Sequence, residues 1–314
     1  MQAPALELRT LAPKGFAAEI LGITVDQVLS DEGVRQQLRQ AIDQHCVLCL
    51  RFGKTLDDAQ LRGVIECFGP IKNRVGRCRD GTIRPYTAAN PGSRIDKQIN
   101  VLDTSRKEDG TGGPGATRWH TDDSYLEIPC AYTALHPQEL PASGGGDTQF
   151  LNMHHAYESL PQRKQRRLDG VRGLHWQTST TAAKALFARG KPGPDNPTSF
   201  ALTNLVDASH PLVRTHPRTG KKALYLNLDR MMGIDGMTIE ESARELNQLE
   251  HFAEQAGTRY VHEWQLGDVV VWDNRSVQHR AAPKATVKPG MCGRSCLDVA
   301  LLHAVHRAVQ CWPR

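Results

Sequence analysis

The stretch 31–52 changes its hydrophobic period in mid-course. In "DEGVRQQLRQAIDQH" (31–45) apolar residues recur at Val34, Leu38, Ala41 and Ile42. That spacing gathers them on one helix face, and the acidic start suits a helix N-terminus. "CVLCLRF" (46–52) then runs apolar almost without interruption, as a strand buried on both faces does. The chain before it, "LELRTLAPKGFAAEILGI" (6–23), alternates and carries turn glycines, which predicts short strands. After it, "TLDDAQLRGVIECFG" (55–69) returns to helical spacing, with Thr55 as the expected N-cap and Gly69 as the stop.

The second half repeats this alternation of elements. "AYTALHPQ" (131–138) reads as a strand, "GGGDTQFLN" (144–152) as a turn into a strand, and "MHHAYESLPQRKQRRLDG" (153–170) as an amphipathic helix. "HPLVRTHPRTGKKALYLNL" (210–228) predicts a hairpin turning at "RTGKK". "TIEESARELNQLEHFAEQAG" (238–257) is the clearest helix, with Thr238 and Glu241 in capping-box relation and Gly257 beyond its end. "YVHEWQLGDVVVWDNRSVQHRAA" (260–282) gives two strands around a Gly-Asp turn, and "GRSCLDVALLHAV" (293–305) a last strand or helix start. Many short strands with few helices predict an α+β fold with a mainly β core, a sandwich or barrel decorated by helices.

Two segments, 73–117 and 177–210, are polar and rich in Gly and Pro, the first interrupted by the short strand "QINVLDT". Such long connections are expected to be active-site loops. There is no internal repeat, and 314 residues with 39% hydrophobic positions suit one domain, 1–314, carrying these insertions. The net charge of +5 is spread along the chain, with only short clusters such as "RKQRR". That argues against nucleic acid as a partner. The N-terminus lacks a charged region followed by an apolar one, and no apolar run is long enough for a spanning helix, so a cytoplasmic protein with no membrane partner is expected. Eight cysteines include a C-x-x-C at Cys46 and Cys49 and a close pair at Cys292 and Cys296. The first pair lies in the strand-like run without a second C-x-x-C at zinc-ribbon spacing, so reduced, buried thiols are expected.

The chemistry concentrates in "TRWHTDDSYLEIPC" (117–130). On an extended strand His120 and Asp122 would face the same way, because the side-chain period is two. A third ligand among the 13 histidines is best placed at His279, a few residues beyond the apolar strand "DVVVWDN". Asp123 would point the other way, as a polar surface or supporting residue. The histidines at 154, 155, 210, 216, 251, 262 and 303 read as surface or hydrogen-bonded residues.

Four blocks occur in order: "WHTDDSYLEIP", "GGGDTQF" followed by "AYESLP", "HPLVRTHPRTGKKALYLN" and "GDVVVWDNRSVQHRA". Together they resemble the taurine and phenoxyacetate dioxygenase family of Fe(II)/2-oxoglutarate enzymes, from about residue 15 to 297. The resemblance implies a double-stranded β-helix, or jelly-roll barrel, holding His120, Asp122 and His279 as a facial triad on Fe(II). Two imidazoles and one carboxylate suit such an iron, leaving positions open for a bidentate 2-oxo acid and O2. It further implies an oxygenase that hydroxylates an aliphatic carbon of a small molecule while converting 2-oxoglutarate to succinate and CO2. Because Asp122 is present, halogenation is disfavoured. Tyr125 and the two long loops would line the substrate pocket, and a homo-oligomer is expected.

Thr148 matches the family threonine that bonds the distal carboxylate of 2-oxoglutarate. The family's partner arginine, counted without gaps from His279, falls on Gly290, and Arg294 lies four residues further on. Either a longer turn makes Arg294 the cosubstrate clamp, the preferred register, or Arg294 anchors an acidic substrate and the clamp is missing. In the first register Asp298 would disfavour a strongly acidic substrate. Two other classes fit parts of the pattern. A redox-silent zinc hydrolase could use the same three ligands but has no need of Thr148 and Arg294, and a non-catalytic ligand-binding jelly roll needs no complete triad.

Overall fold

The computed structural model describes residues 5–72, 75–77, 83–85, 99–103, 118–140, 146–176, 207–282 and 296–302. Its strands are β1 (Glu7–Thr10), β2 (Ala18–Leu21), β3 (Val47–Arg51), β4 (Val75–Arg77), β5 (Ile83–Pro85), β6 (Ile99–Asp103), β7 (Tyr132–Glu139), β8 (Thr148–Asn152) and β9 (Arg172–His175). They continue with β10 (Ala208–Pro211), β11 (Val213–Thr215), β12 (Lys222–Leu224), β13 (Met231–Ile234), β14 (Arg259–His262), β15 (Asp268–Asp273), β16 (Val277–Ala281) and β17 (Cys296–Leu302). The helices are α1 (Val25–Ser30), α2 (Glu32–His45), α3 (Asp58–Glu66), α4 (Met153–Glu158), α5 (Gln162–Leu168) and α6 (Ile239–Ala256).

A seven-stranded sheet runs β1-β2-β3-β15-β7-β17-β6, and a three-stranded one runs β14-β8-β16. The mixed α and β content expected from the sequence is present, with sheets as its centre. Between the two sheets lies a shared core: Val47 and Cys49 of β3, Leu135 of β7, Val270 and Trp272 of β15, Phe150 of β8 and Val277 of β16. The alternate residues of the same strands, Leu48, Leu50, Val269 and Val271, pack the other way, against α1, α2 and α3. Burial on both faces is why "CVLCLRF" and "DVVVW" carry no polar alternation. A third cluster covers the outer side of the smaller sheet with α4, α6 and the β11–β12 hairpin. Among the described residues no helix is long and apolar enough to cross a membrane.

Four local expectations are corrected. The helix at 55–69 starts later, capped by Asp57 rather than Thr55. Asp57 accepts from Gln60 N at 2.8 Å while Gln60 Oε1 accepts from Asp57 N at 3.2 Å, a reciprocal box. The Leu56 N–H is engaged elsewhere, by His136 Nε2 at 3.0 Å, and the helix closes at Glu66, short of Gly69. The helix expected over 153–170 is two, α4 and α5, because Pro161 has no N–H to continue the first. His279 follows β15 by a few residues as expected, but it lies in the middle of a further strand, β16, that the sequence pattern does not predict. Lastly, the stretch around His120 is not a strand. His120 makes a single bridge to His279, with N···O distances of 3.1 and 2.8 Å, and a turn follows.

The four described thiols, Cys46, Cys49, Cys67 and Cys130, are free and buried, as read from the sequence.

Candidate metal centre

His120 and His279 face each other across that bridge, their ring centroids 4.1 Å apart. The turn after His120 swings Asp122 between them: Asp122 Oδ1 lies 3.9 Å from His120 Nε2 and Oδ2 lies 3.6 Å from His279 Nε2. One donor atom from each of the three falls within 4.8 Å of the others. The expected trio therefore converges, although by bridge and turn rather than by the strand alternation inferred from H-x-D.

The donors are prepared for a cation. His120 Nδ1 donates to the Arg118 carbonyl at 2.9 Å, which fixes the ring with Nε2 facing Asp122. Burial, and secondly the neighbouring His120, push the His279 imidazole well below its ordinary pKa, so it stays neutral. Its Nδ1 is buried and has no hydrogen-bond partner among the described residues. Asp122 Oδ2 accepts the Thr133 hydroxyl at 2.6 Å. Two imidazoles and a carboxylate, with no cationic side chain among their described contacts, fit a divalent iron.

Of the two roles expected for Asp123, surface or supporting, the structure shows the supporting one. It adopts φ +55°, a left-handed backbone that Asp tolerates better than most residues. Its carboxylate is buried, ion-paired with Lys72 Nζ at 3.2 Å, and accepts the Tyr125 hydroxyl at 3.1 Å. Tyr125 is thus tied to the turn itself. The turn is further pinned by Thr121, whose Oγ1 donates to the Asn274 carbonyl at 2.7 Å, and by Asn227 Nδ2, which donates to the Thr121 carbonyl and the Ser124 hydroxyl.

Thr148 is buried at the start of β8 and accepts from Trp264 Nε1 at 3.1 Å. An indole can only donate, so the threonine's own proton is free for another acceptor. In the β8–β16 pairing Phe150 opposes His279 and Thr148 opposes Ala281. Thr148 therefore shares the face of His279, two residues and about 6–7 Å along the strand. Arg294 and Gly290 lie outside the described residues, as do 177–206 and most of the 73–117 segment.

Sequence reasoning missed Thr133 and Asn274, which bond Asp122 directly. Nothing in "AYTALHPQ" marks its threonine, and Asn274 stood inside the block "GDVVVWDNRSVQHRA" without a role of its own.

Several known proteins are similar to this chain. The 2,4-dichlorophenoxyacetate dioxygenase of Cupriavidus pinatubonensis, named as α-ketoglutarate-dependent, is 29% identical over 84% of this chain and 88% of its own. The pentalenolactone F synthase of Streptomyces avermitilis is 29% identical over 88% of each. The crystal structure of AAD-2 in complex with Mn(II) and N-oxalylglycine superposes with a TM-score of 0.71, covering 96% of this chain and 99% of that one. At 21% identity, that likeness shows the fold alone. Residues 7–292 match the family described as taurine catabolism dioxygenase TauD, TfdA. On that match over most of its length, the chain belongs to the TauD, TfdA family of dioxygenases.

Proposed function

We propose that this protein is an Fe(II)- and 2-oxoglutarate-dependent oxygenase that hydroxylates an aliphatic carbon of a small molecule and releases succinate and CO2. The observation that carries the reading is the convergence of His120, Asp122 and His279 in a chain of this family. These three residues would hold the iron, which when bound supplies oxidising power from O2 through the oxidative decarboxylation of the oxo acid. The two sheets with their shared core support a double-stranded β-helix as the scaffold. Relatives named for acting on 2,4-dichlorophenoxyacetate and sulfate esters support a small organic substrate.

The protein's own groups do the positioning. His120 and His279 present ring nitrogens, and Asp122 supplies one negative charge. Thr148, whose proton its bond from Trp264 leaves available on the face of His279, would give that proton to the distal carboxylate of the oxo acid. Arg294 is the proposed cationic partner of that carboxylate, because a buried carboxylate left unpaired is costly. Replacing Arg294 by Ala should weaken 2-oxoglutarate binding about ten- to a hundredfold. Unchanged cosubstrate binding with lost affinity for an acidic substrate would instead make Arg294 the substrate anchor. The reading as a whole is tested by O2-, Fe(II)- and 2-oxoglutarate-dependent succinate release across a panel of small acids, esters and neutral molecules. Full turnover by zinc-loaded, iron-free protein would contradict it and favour a hydrolase.

A further inference from the structure

The carboxylate of Asp122 is held by hydrogen bonds whose directions are assignable from end to end. Trp272 Nε1 can only donate, and it meets Asn274 Oδ1 at 3.0 Å. This oxygen also accepts the Asp122 backbone N–H at 3.3 Å. The amide nitrogen of Asn274 therefore faces the other way and donates to Thr133 Oγ1 at 2.8 Å, with Cys130 Sγ at 3.2 Å. A hydroxyl that accepts from Asn274 keeps its own proton to give. Thr133 gives it to Asp122 Oδ2 at 2.6 Å, the length of a charge-assisted O–H···O⁻ bond.

The end of the chain that bears Asn274 is anchored in turn. Asn274 occupies the bend between β15 and β16, flanked by Asp273 and Arg275. Arg275 donates to both Asp273 oxygens, at 2.8 and 2.6 Å, and His216 Nε2 donates to Oδ2 at 2.9 Å. Burial alone would raise the Asp273 carboxyl, but the Arg275 charge and the hydrogen bonds from Arg275 and His216 hold it well below the usual carboxylate range. The bend is thus fixed by a buried ionic network before it reaches the site.

We propose that Thr133, oriented by Asn274, is a positioning residue that makes Asp122 a one-oxygen ligand. Both oxygens lie near the ligand nitrogens, Oδ1 3.9 Å from His120 Nε2 and Oδ2 3.6 Å from His279 Nε2, but Oδ2 already accepts the Thr133 proton, so Oδ1 is the oxygen left freer for the metal. A carboxylate chelating through both oxygens would take a further coordination position, and the arrangement keeps that position for the oxo acid and O2. The inference rests on the metal-centre reading above, and the test separates the two.

Metal affinity is measured anaerobically by calorimetry, with Fe(II) and with Co(II), on wild type, Thr133→Val and Thr133→Ser, alongside thermal unfolding of each metal-free protein. Valine keeps the shape and removes the proton, and serine restores the proton. The valine variant should bind metal about ten- to a hundredfold more weakly, the usual range for loss of such a support. The serine variant should return to within about threefold of wild type. Equal affinity of the valine variant and wild type, or a serine variant as weak as valine, overturns the proposal. No metal binding by wild type would overturn the metal-centre reading itself. Should the valine variant not fold, wild-type protein labelled with 13C-carboxyl aspartate carries the test through infrared difference spectra of metal addition. A wide separation of the two carboxylate stretches is expected for one-oxygen ligation, and the narrow separation of a chelating carboxylate overturns it.

Discussion

Among the described residues, two clusters bring a histidine, a carboxylate and further donors within metal-binding distance of one another: His120, Asp122 and His279, and Cys49, His262 and Asp268. Spacing alone does not tell them apart, but their unmet bonding capacity does. In the second cluster Asp268 is ion-paired with Arg51 at 3.0 Å, bonded by His262 Nε2 at 3.0 Å and by the Gln265 N–H at 2.9 Å. The other nitrogen of His262 meets the Tyr260 hydroxyl at 2.8 Å. Burial pushes the Cys49 thiol up to about 12, so it is no thiolate at neutral pH. That cluster already holds its own cation, Arg51. In the first, both imidazoles turn nitrogens without short hydrogen bonds toward a partly exposed carboxylate that no cation among the described residues compensates. A metal site is a deficit of partners as much as a set of donors.

The comparison breaks most sharply by exchanging which cluster is damaged. Asp122→Ala and His279→Ala should each abolish coupled succinate formation and lower Fe(II) affinity by at least about a hundredfold, with a folded protein by circular dichroism. Asp268→Ala should act on folding instead. It leaves the buried His262 ring and the Gln265 N–H without their acceptor while Arg51 keeps Glu19 at 3.4 Å, so denaturant unfolding should show a loss of about 1–3 kcal/mol. Metal affinity of the folded fraction should stay near wild type. A folded Asp268→Ala variant that has lost its metal would erase the distinction between the clusters.

The contrast between partnered and unpartnered histidines extends to the turn beneath the ligands. There His175 lies against Ser124 and His210 against the Leu126 carbonyl, with Arg214 and Arg172 nearby. Burial first, and then Arg214, hold His210 down to about 4, and burial holds His175 well below its ordinary value. Both are therefore neutral in the folded protein, whereas in the unfolded chain they protonate near pH ~6.5. Their depressed values mean that stability is complete above ~6.5 and is lost as pH falls from there towards about 4. The melting temperature of metal-free protein should hold level from pH 8 to 7 and then decline steadily to pH 4.5. A flat profile would show that these rings are solvated. Asp273 adds its own loss only at still lower pH, because its carboxyl is held further down.

The smallest effect expected is at Cys49. Native protein at pH 8 should leave Cys49 and Cys46, both pushed up to about 12 by burial, unlabelled by thiol reagents, and denaturation should expose them. Rapid native labelling of Cys49, located by peptide mapping, would mean that the second cluster is open after all.

What the sequence made legible follows the reach of each signal. The helix at 238–257 carried its start, face and stop within itself, and Thr238, Glu241 and Gly257 sit where read. "CVLCLRF" and "DVVVW" were strands because nothing else buries both faces so evenly. The two histidines and Asp122 do converge, as the sequence led one to expect, but strand alternation is not what brings them together. The geometry comes from a one-residue bridge and from Asn274, which lies 152 residues from Asp122 in the chain. Competing caps such as Asp57 and Thr55, and the left-handed Asp123 with its Lys72 partner, likewise depend on contacts that no local window contains.

The central claim, that the first cluster binds iron in a form that accepts 2-oxoglutarate while the second binds none, comes down to one spectrum. Metal-free wild type, Asp122→Ala and His262→Ala proteins are titrated anaerobically with Fe(II) and 2-oxoglutarate, and the visible charge-transfer absorption of a chelated oxo acid is followed. Wild type and His262→Ala should develop the band with similar intensity, and Asp122→Ala should not. A band that survives in Asp122→Ala and disappears in His262→Ala, or one that never forms in wild type, would contradict the account.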